Sequence, residues 1–297
     1  MLYVLLPTFA HGGHDPALRA WLVRGDRMAD TPHGYMAALS SYFHWPSGPL
    51  PAGALLREAQ HGDAGMDTWL CADPAYVQPD MTGARMLACG TLDLDADEAD
   101  ALARPLRPLF GDLGFLLETS TPGRWHVRLP RDAQPPAFAS PDQVLGDDLL
   151  PHLPQGAAHG AWRNLFTETQ VLLHQNPVNE ARRARGKMPV NCLWLWGGGR
   201  LPAWVKADVG SLYSRDPLAR VLGQLARIEI HAPGDFDPKH GADNELLDLE
   251  SGFDAAVHAP LLAAALRRHA GLTLRFASGE GVYYANRHRW RVWRRIA

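Results

Sequence analysis

Asn176 to Trp204 reads NPVNEARRARGKMPVNCLWLWGGGRLPAW. Asn176 followed by Pro177 is a helix start: the amide side chain caps a free backbone N–H, and proline's fixed φ suits the first helical position. Gly186, just past the basic run, supplies the residue type that ends a helix. Asn191 to Trp196 then reads as a buried-type strand, apolar from Cys192 onward as in a strand covered on both faces, and predicts a central strand of a parallel sheet. Gly197, Gly198 and Gly199 close it. In open α/β sheets ligands bind beyond the carboxyl ends of strands, where glycine lets the backbone approach. Arg182, Arg183, Arg185 and Lys187 lie before the strand and Arg200 after it, so the stretch predicts an anion site at the glycine turn. The plainer alternative is a tight turn beside a solvated basic helix; the triple glycine lacks the Lys-Ser/Thr of a P-loop.

Outward from this block, strand and helix alternate at both ends of the chain. Leu2 to Leu6 is a buried-type strand, and Pro16 to Arg24 is a helix capped by Asp15. Strands are expected at Arg85 to Cys89, Arg227 to His231 and Leu272 to Phe276, with Asn244 to His269 mostly helical. Asp95 and Glu98 mark a helix start that Pro105 interrupts. Gly114 to Glu118 and Arg124 to Leu129 form a hairpin about Thr121-Pro122-Gly123. Trp162, Leu165, Phe166, Thr169, Leu172 and Leu173 share one face of a helix over Ala161 to His174. Asp132 to Pro154 carries prolines 135, 136, 141, 151 and 154 and predicts an irregular connection. The expected class is therefore α/β with a mainly parallel sheet. An α/β core over 1–68 and 155–297 would carry a smaller inserted α+β lobe over 69–136, with 137–154 as the proline-rich connection.

Composition bounds the rest. With 297 residues, 46% of them hydrophobic, the chain is long enough for a large core. Its net charge of −3 argues against a wholesale polyanion binder. No apolar run approaches the length of a membrane span, and the six-residue apolar start is too short for a signal peptide; cytoplasm is the expected compartment. Cys71, Cys89 and Cys192 form neither a disulfide framework nor a zinc pattern.

Pro177, Val178, Asn179, Arg182, Gly186, Lys187, Pro189, Asn191, Trp194, Trp196, Gly197, Gly199 and Pro202 resemble a block of the archaeal-type cofactor-independent phosphoglycerate mutases. Those belong to the alkaline phosphatase superfamily of two-metal phosphoryl-transfer enzymes. The stretches PALRAWLVR (Pro16 to Arg24), WLCADP (Trp69 to Pro74), DEADAL (Asp97 to Leu102) and RWHVRL (Arg124 to Leu129) are similar to the RpfE-type regulatory proteins of proteobacteria. The resemblance implies a reduced alkaline-phosphatase-superfamily core. It also implies a ligand set, Asn179, Arg182, Asn191, Gly197, Gly198, Gly199 and Arg200, for a small phosphorylated or carboxylate metabolite.

The departures from the mutase pattern matter as much. The mutases place Asp-Gly after the first strand; here Leu6 is followed by Pro7-Thr8-Phe9-Ala10. A late Asp-His is replaced by Ala277-Ser278-Gly279-Glu280. His231, Asp235, Asp237, His240 and Asp243 are the rival metal candidates, set against a plain polar loop. His11-Gly12-Gly13-His14-Asp15 is weighed the same way, against a helix cap. No G-x-S-x-G elbow occurs, and Cys192 sits in an apolar strand. At the C-terminus, period-two alternation puts His288, Trp290 and Val292 on one face and arginines on the other, the pattern of a guarded edge strand rather than a nucleic-acid surface.

Three functions follow. The leading one is a regulatory or sensor protein on a degenerate mutase-like scaffold, needing no cofactor. The second is a phosphoglycerate mutase or phosphatase-like enzyme using divalent Mn or Zn. The third is an interaction protein with an unknown protein partner; neither nucleic acid nor membrane is expected. Under the leading reading no mutase activity is expected.

Overall fold

The computed structural model describes residues 1–12, 15–46, 48–81, 83–131, 133–156, 159–239, 244–291 and 293–294. In chain order the first elements are β1 (Leu2–Leu6), α1 (Phe9–Gly12), α2 (Pro16–Arg24), β2 (Asp26–Arg27), α3 (Tyr35–Leu39) and β3 (Phe43–His44). Then come α4 (Ala52–His61), β4 (Thr68–Pro79), β5 (Ala84–Cys89), α5 (Ala96–Ala103), α6 (Leu106–Gly111), β6 (Leu116–Thr121) and β7 (Arg124–Leu129). α7 (Pro141–Val144), α8 (Gly160–His174), α9 (Pro177–Ala184) and β8 (Cys192–Gly199) follow. The chain ends through β9 (Lys206–Ala207), β10 (Ser211–Tyr213), α10 (Pro217–Ala226), β11 (Glu229–His231), β12 (Glu245–Asp248), α11 (Ala255–Ala265), β13 (Leu272–Phe276) and β14 (Gly281–Tyr284). Two compact units result: Met1–Pro46 with Ala203–Ala297, and Ser47–Pro202.

The discontinuous unit holds a seven-stranded sheet in the order β11-β10-β12-β1-β13-β14-β2. β11 through β13 run parallel; β14 and β2 are antiparallel additions. β1 lies inside the sheet, which is why LYVLL is apolar at successive positions. Leu2, Val4 and Leu6 point to one face with Leu272, Leu274 and Phe276, where Leu18 of α2 and Leu262 of α11 cover them. The span 244–269, expected to be mostly helical, opens with the strand β12. Four residues are too few to show a period, and Asn244 before it holds a left-handed φ of 57°.

The named strands of the inserted unit all pair antiparallel. β4 is twelve residues long and serves as its axis. One edge pairs with β7 over Thr68–Ala72 and then with β5 over Ala75–Pro79; the other edge pairs with β8. Pro74 falls where β7 has ended and β5 has not begun, so its missing N–H breaks no bond on that edge. Leu102, Leu106 and Phe110 of α5 and α6, with Leu165 and Leu173 of α8, bury Leu70, Ala72, Trp125, Val127, Leu193 and Leu195 on one face.

Three expectations are corrected. Cys192 to Trp196 is buried, yet β8 is an antiparallel strand hydrogen-bonded on one side only, because helix and loop rather than further strands cover its residues. The division of the chain falls near 46 and 202 rather than at 68/69 and 136/137, because β8 joins the antiparallel sheet and α4 and α8 pack on it. Residues 133–154 are irregular as expected: α7, one 3-10 turn and isolated bridges are all they hold. They belong within the inserted unit, however; Ala139 accepts the Trp194 indole N–H at 2.9 Å.

Candidate functional site

The glycine turn is filled by protein. A Cβ on Gly197, whose φ is 65°, would meet Ala52 Cβ at 2.7 Å and the Gly53 nitrogen at 3.1 Å. One on Gly198 would strike Leu70 Cδ2 at 2.9 Å, and one on Gly199 would strike Pro51 Cβ at 2.6 Å. The glycines therefore let the start of α4 lie directly on β8. Gly197→Ala is expected to cost about 2–4 kcal/mol, the sum of a left-handed backbone for a residue with Cβ and an overpacked contact. Urea unfolding measures it; an unchanged midpoint would show that the turn tolerates a side chain and leaves room for a ligand.

Of the cations beside it, Arg183 is exposed, and Arg182, Arg185, Lys187 and Arg200 are committed to the fold. Arg182 is fully buried: Nη1 meets Glu98 Oε2 at 2.5 Å, Nη2 donates to Leu92 O at 2.5 Å, and Nε donates to Met188 O at 2.9 Å. Arg185 takes the other oxygen of Glu98, and Lys187 pairs with Asp93. Arg200 bonds Thr68 Oγ1 at 3.1 Å and the Arg131 carbonyl. Asn179 ties α9 to the strand entry, donating to Leu173 O and Val190 O and accepting from Val190 N–H. Asn191 continues the β8–β4 ladder with its side chain, exchanging two bonds with the Val77 backbone. The sequence thus marked a structural knot, in which Arg182 and Arg200 are bonded to different parts of the fold.

The metal candidates are dispersed as well. His231 stacks on Tyr213 with centroids 5.0 Å apart, Asp235 accepts the Ala232 N–H, and Asp237 accepts the Lys239 N–H. His240 and Asp243 lie outside the described residues, as do Gly13 and His14 of the first glycine-histidine motif. Among the described residues no three His, Cys, Asp or Glu side chains are grouped to hold a metal ion. At the tips of β1 and β13, Phe9 packs edge-on to Phe276 at 5.0 Å and its N–H donates to Ser278 Oγ at 2.8 Å. The residues there do not fit the two-metal centre that the mutase resemblance implies.

The carboxyl edge of the parallel sheet holds the stronger candidate. Asp248 ends β12; its Oδ2 accepts from the Tyr35 and Ser214 hydroxyls, each at 2.6 Å, and its Oδ1 accepts the Glu250 N–H at 3.2 Å. Burial, and then the Asp248 carboxylate, push the Tyr35 phenol well above its usual range, so it stays a donor. Beside Asp248 opens a cavity of about 440 Å³ at the ends of β10, β11 and β12 and the first turns of α11. Leu247, Val257 and Leu261 supply apolar wall; Arg215, Ser251 and His258 supply polar groups. Arg215 makes no hydrogen bond or ion pair among the described residues. His258 engages the Asp254 backbone through Nδ1 at 2.8–2.9 Å, which leaves Nε2 for the cavity. Sequence reasoning missed these residues because SLY and ELLD are short. The available signal was Asp216-Pro217, a helix start directly after Ser214-Arg215.

No family model matches the chain. Ninety-five residues are 30% identical to a probable 2,3-bisphosphoglycerate-independent phosphoglycerate mutase of Geobacter sulfurreducens, covering 30% of this chain and 24% of that protein. A stretch of 127 residues is 28% identical to the corresponding mutase of Methanosarcina mazei, covering 43% of this chain and 31% of the relative. The matched region thus spans under a third of these curated relatives. Among solved structures, a Pyrococcus horikoshii protein aligns with TM-score 0.48 and 11% identity over 96% of this chain and 86% of its own. The cofactor-independent phosphoglycerate mutase of Thermoplasma acidophilum aligns with TM-score 0.35 and 14% identity, over 96% and 89%. The chain is weakly homologous to cofactor-independent phosphoglycerate mutases, and its α/β fold pairs a mostly parallel sheet with an antiparallel one. Among the described residues no helix is long and apolar enough to cross a membrane.

Proposed function

We propose that this chain is a regulatory or sensor protein on a phosphoglycerate-mutase-like scaffold, which binds a small phosphorylated or carboxylate metabolite without turning it over. The observation that carries the reading is the pair of strand tips. Where the mutase pattern calls for acidic and imidazole ligands, Phe9 closes on Phe276 and Ser278, while the neighbouring cavity keeps an uncommitted guanidinium, Arg215. An anion there takes charge-assisted bonds from Arg215 and a hydrogen bond from Ser251 or the His258 ring, with Leu247 and Val257 against its carbon body. Asp248, held by two hydroxyls and an amide, shapes the cavity floor rather than carrying a reaction. The similarity of PALRAWLVR, WLCADP, DEADAL and RWHVRL to RpfE-type proteins supports a regulatory role, and a cytoplasmic location goes with it.

The test is thermal shift with 2-phosphoglycerate, 3-phosphoglycerate and phosphoenolpyruvate. A ligand at a hundred times its Kd stabilises the fold by about 2.7 kcal/mol. Arg215→Ala is expected to abolish the shift and leave the ligand-free Tm unchanged, because the side chain is exposed and holds nothing in place. No shift with any of the three acids removes the sensor reading. Conversion of 3-phosphoglycerate that a chelator abolishes replaces it with the enzyme reading.

A further inference from the structure

We propose that the arginine- and tryptophan-rich surface formed by the C-terminal turn binds single-stranded nucleic acid. An edge strand over Arg287 to Arg295 would have put Trp290 on the same face as His288. The chain instead forms a 3-10 turn over Asn286–Trp290, in which His288 is buried and Trp290 turns outward. Trp290 is 67% exposed and Trp293 72%, the most exposed aromatic rings among the large hydrophobic residues described. The guanidinium of Arg289 sits 4.9 Å from the Trp290 ring centroid.

The surroundings are basic. Arg24 donates to the Arg289 carbonyl, Arg291 donates to the Arg24 carbonyl, and Arg294 donates to the Gly25 carbonyl, which draws these arginines together around β2. Asn286 donates to Leu266 O and brings the exposed Arg267 and Arg268 alongside. Asp26 lies among them, already faced by Arg291, Arg294 and His288, and Glu280 lines the adjoining cavity with Arg294. Arg267, Arg268, Arg287 and Arg289 make no ion pair among the described residues. In a chain whose net charge is −3, so concentrated a positive surface is a local feature with a polyanion as its complement.

The rings decide which polyanion. Exposed indoles beside guanidinium groups stack on unpaired bases while arginines track phosphates. A five-residue 3-10 turn offers no helix to enter a duplex groove. Nor does the surface present the aliphatic face that an interfacial membrane helix buries.

Fluorescence anisotropy of the full chain with a labelled single-stranded oligothymidylate at low salt tests the proposal. Binding that weakens steeply with salt is expected. Trp290→Ala with Trp293→Ala should weaken it about tenfold or more, at an unchanged Tm, because neither ring is packed. Arg287→Glu with Arg289→Glu should flatten the salt dependence. Absence of binding at low salt overturns the proposal. So does affinity indifferent to the tryptophans, or tighter association with phosphatidylglycerol vesicles or with duplex than with single strand.

Discussion

Arg182→Ala is expected to remove about 3–5 kcal/mol of stability from the inserted unit, the cost of breaking one side of a buried ion pair. The guanidinium spans α9, the Met188 carbonyl, the Leu92 carbonyl and Glu98 on α5. Alanine leaves Glu98 facing Arg185 alone and strips the buried Leu92 carbonyl, and the part-buried Met188 carbonyl, of their donor. The urea midpoint of the variant reports the loss. A ligand-contacting arginine behaves in the opposite way: its removal weakens binding and spares the fold. Phosphoglycerate is therefore expected to stabilise whatever fraction of Arg182→Ala still folds, and to leave Arg215→Ala unmoved. A variant with wild-type stability and lost ligand response would return the anion site to the glycine block.

The contrast between these arginines shows where sequence reading ran out. Local signals carried well, because the atoms that satisfy them are neighbours in the chain. Asn176 caps α9 through the Val178 N–H, Asp95 caps α5 through the Glu98 N–H, and the β6–β7 hairpin turns where Pro122-Gly123 predicted. The apolar run of β1 announced its place inside a parallel sheet. CLWLWG carries the same pattern, yet pattern records only that both faces are covered, not what covers them. Its partner β4 contains Pro74 and the buried Asp73, residues that disguise a strand. Asp73 holds Arg124 through both carboxylate oxygens and accepts the Trp196 indole N–H, three contacts made across distant parts of the chain. A dense cluster of arginine and glycine therefore looked like a ligand site when its partners were a glutamate eighty-four residues away and a helix start. Arg215 carries no such cluster around it and drew no notice, although among the described residues it is a cation without a partner at the edge of a cavity.

Acid should find its weak point at His126. The ring is fully buried on β7; Nδ1 meets Ser120 Oγ at 2.7 Å and Nε2 has no hydrogen-bond partner among the described residues. Burial, with Arg57 and Arg124 adding like charge, lowers its pKa from 6.5 to about 3. Arg57 lies over the Trp69 ring and is held by Asp63 and Glu118, so the positive charge beside His126 is itself fixed in place. The folded chain accepts the neutral imidazole, whereas the unfolded chain protonates near pH 6.5. The stability from this residue is whole above that value and is lost as pH falls toward 3. Linkage puts the loss at about 3 kcal/mol between pH 7 and pH 4. His126→Asn keeps a polar group that can face Ser120 as donor or acceptor and removes the titration. Urea unfolding at several pH values should therefore show the variant losing about 3 kcal/mol less than the parent over that interval, even though the smaller side chain lowers its stability at pH 7. Parallel pH profiles for the two proteins would mean that His126 takes up its proton in the folded state, against the burial and the two arginines that surround it.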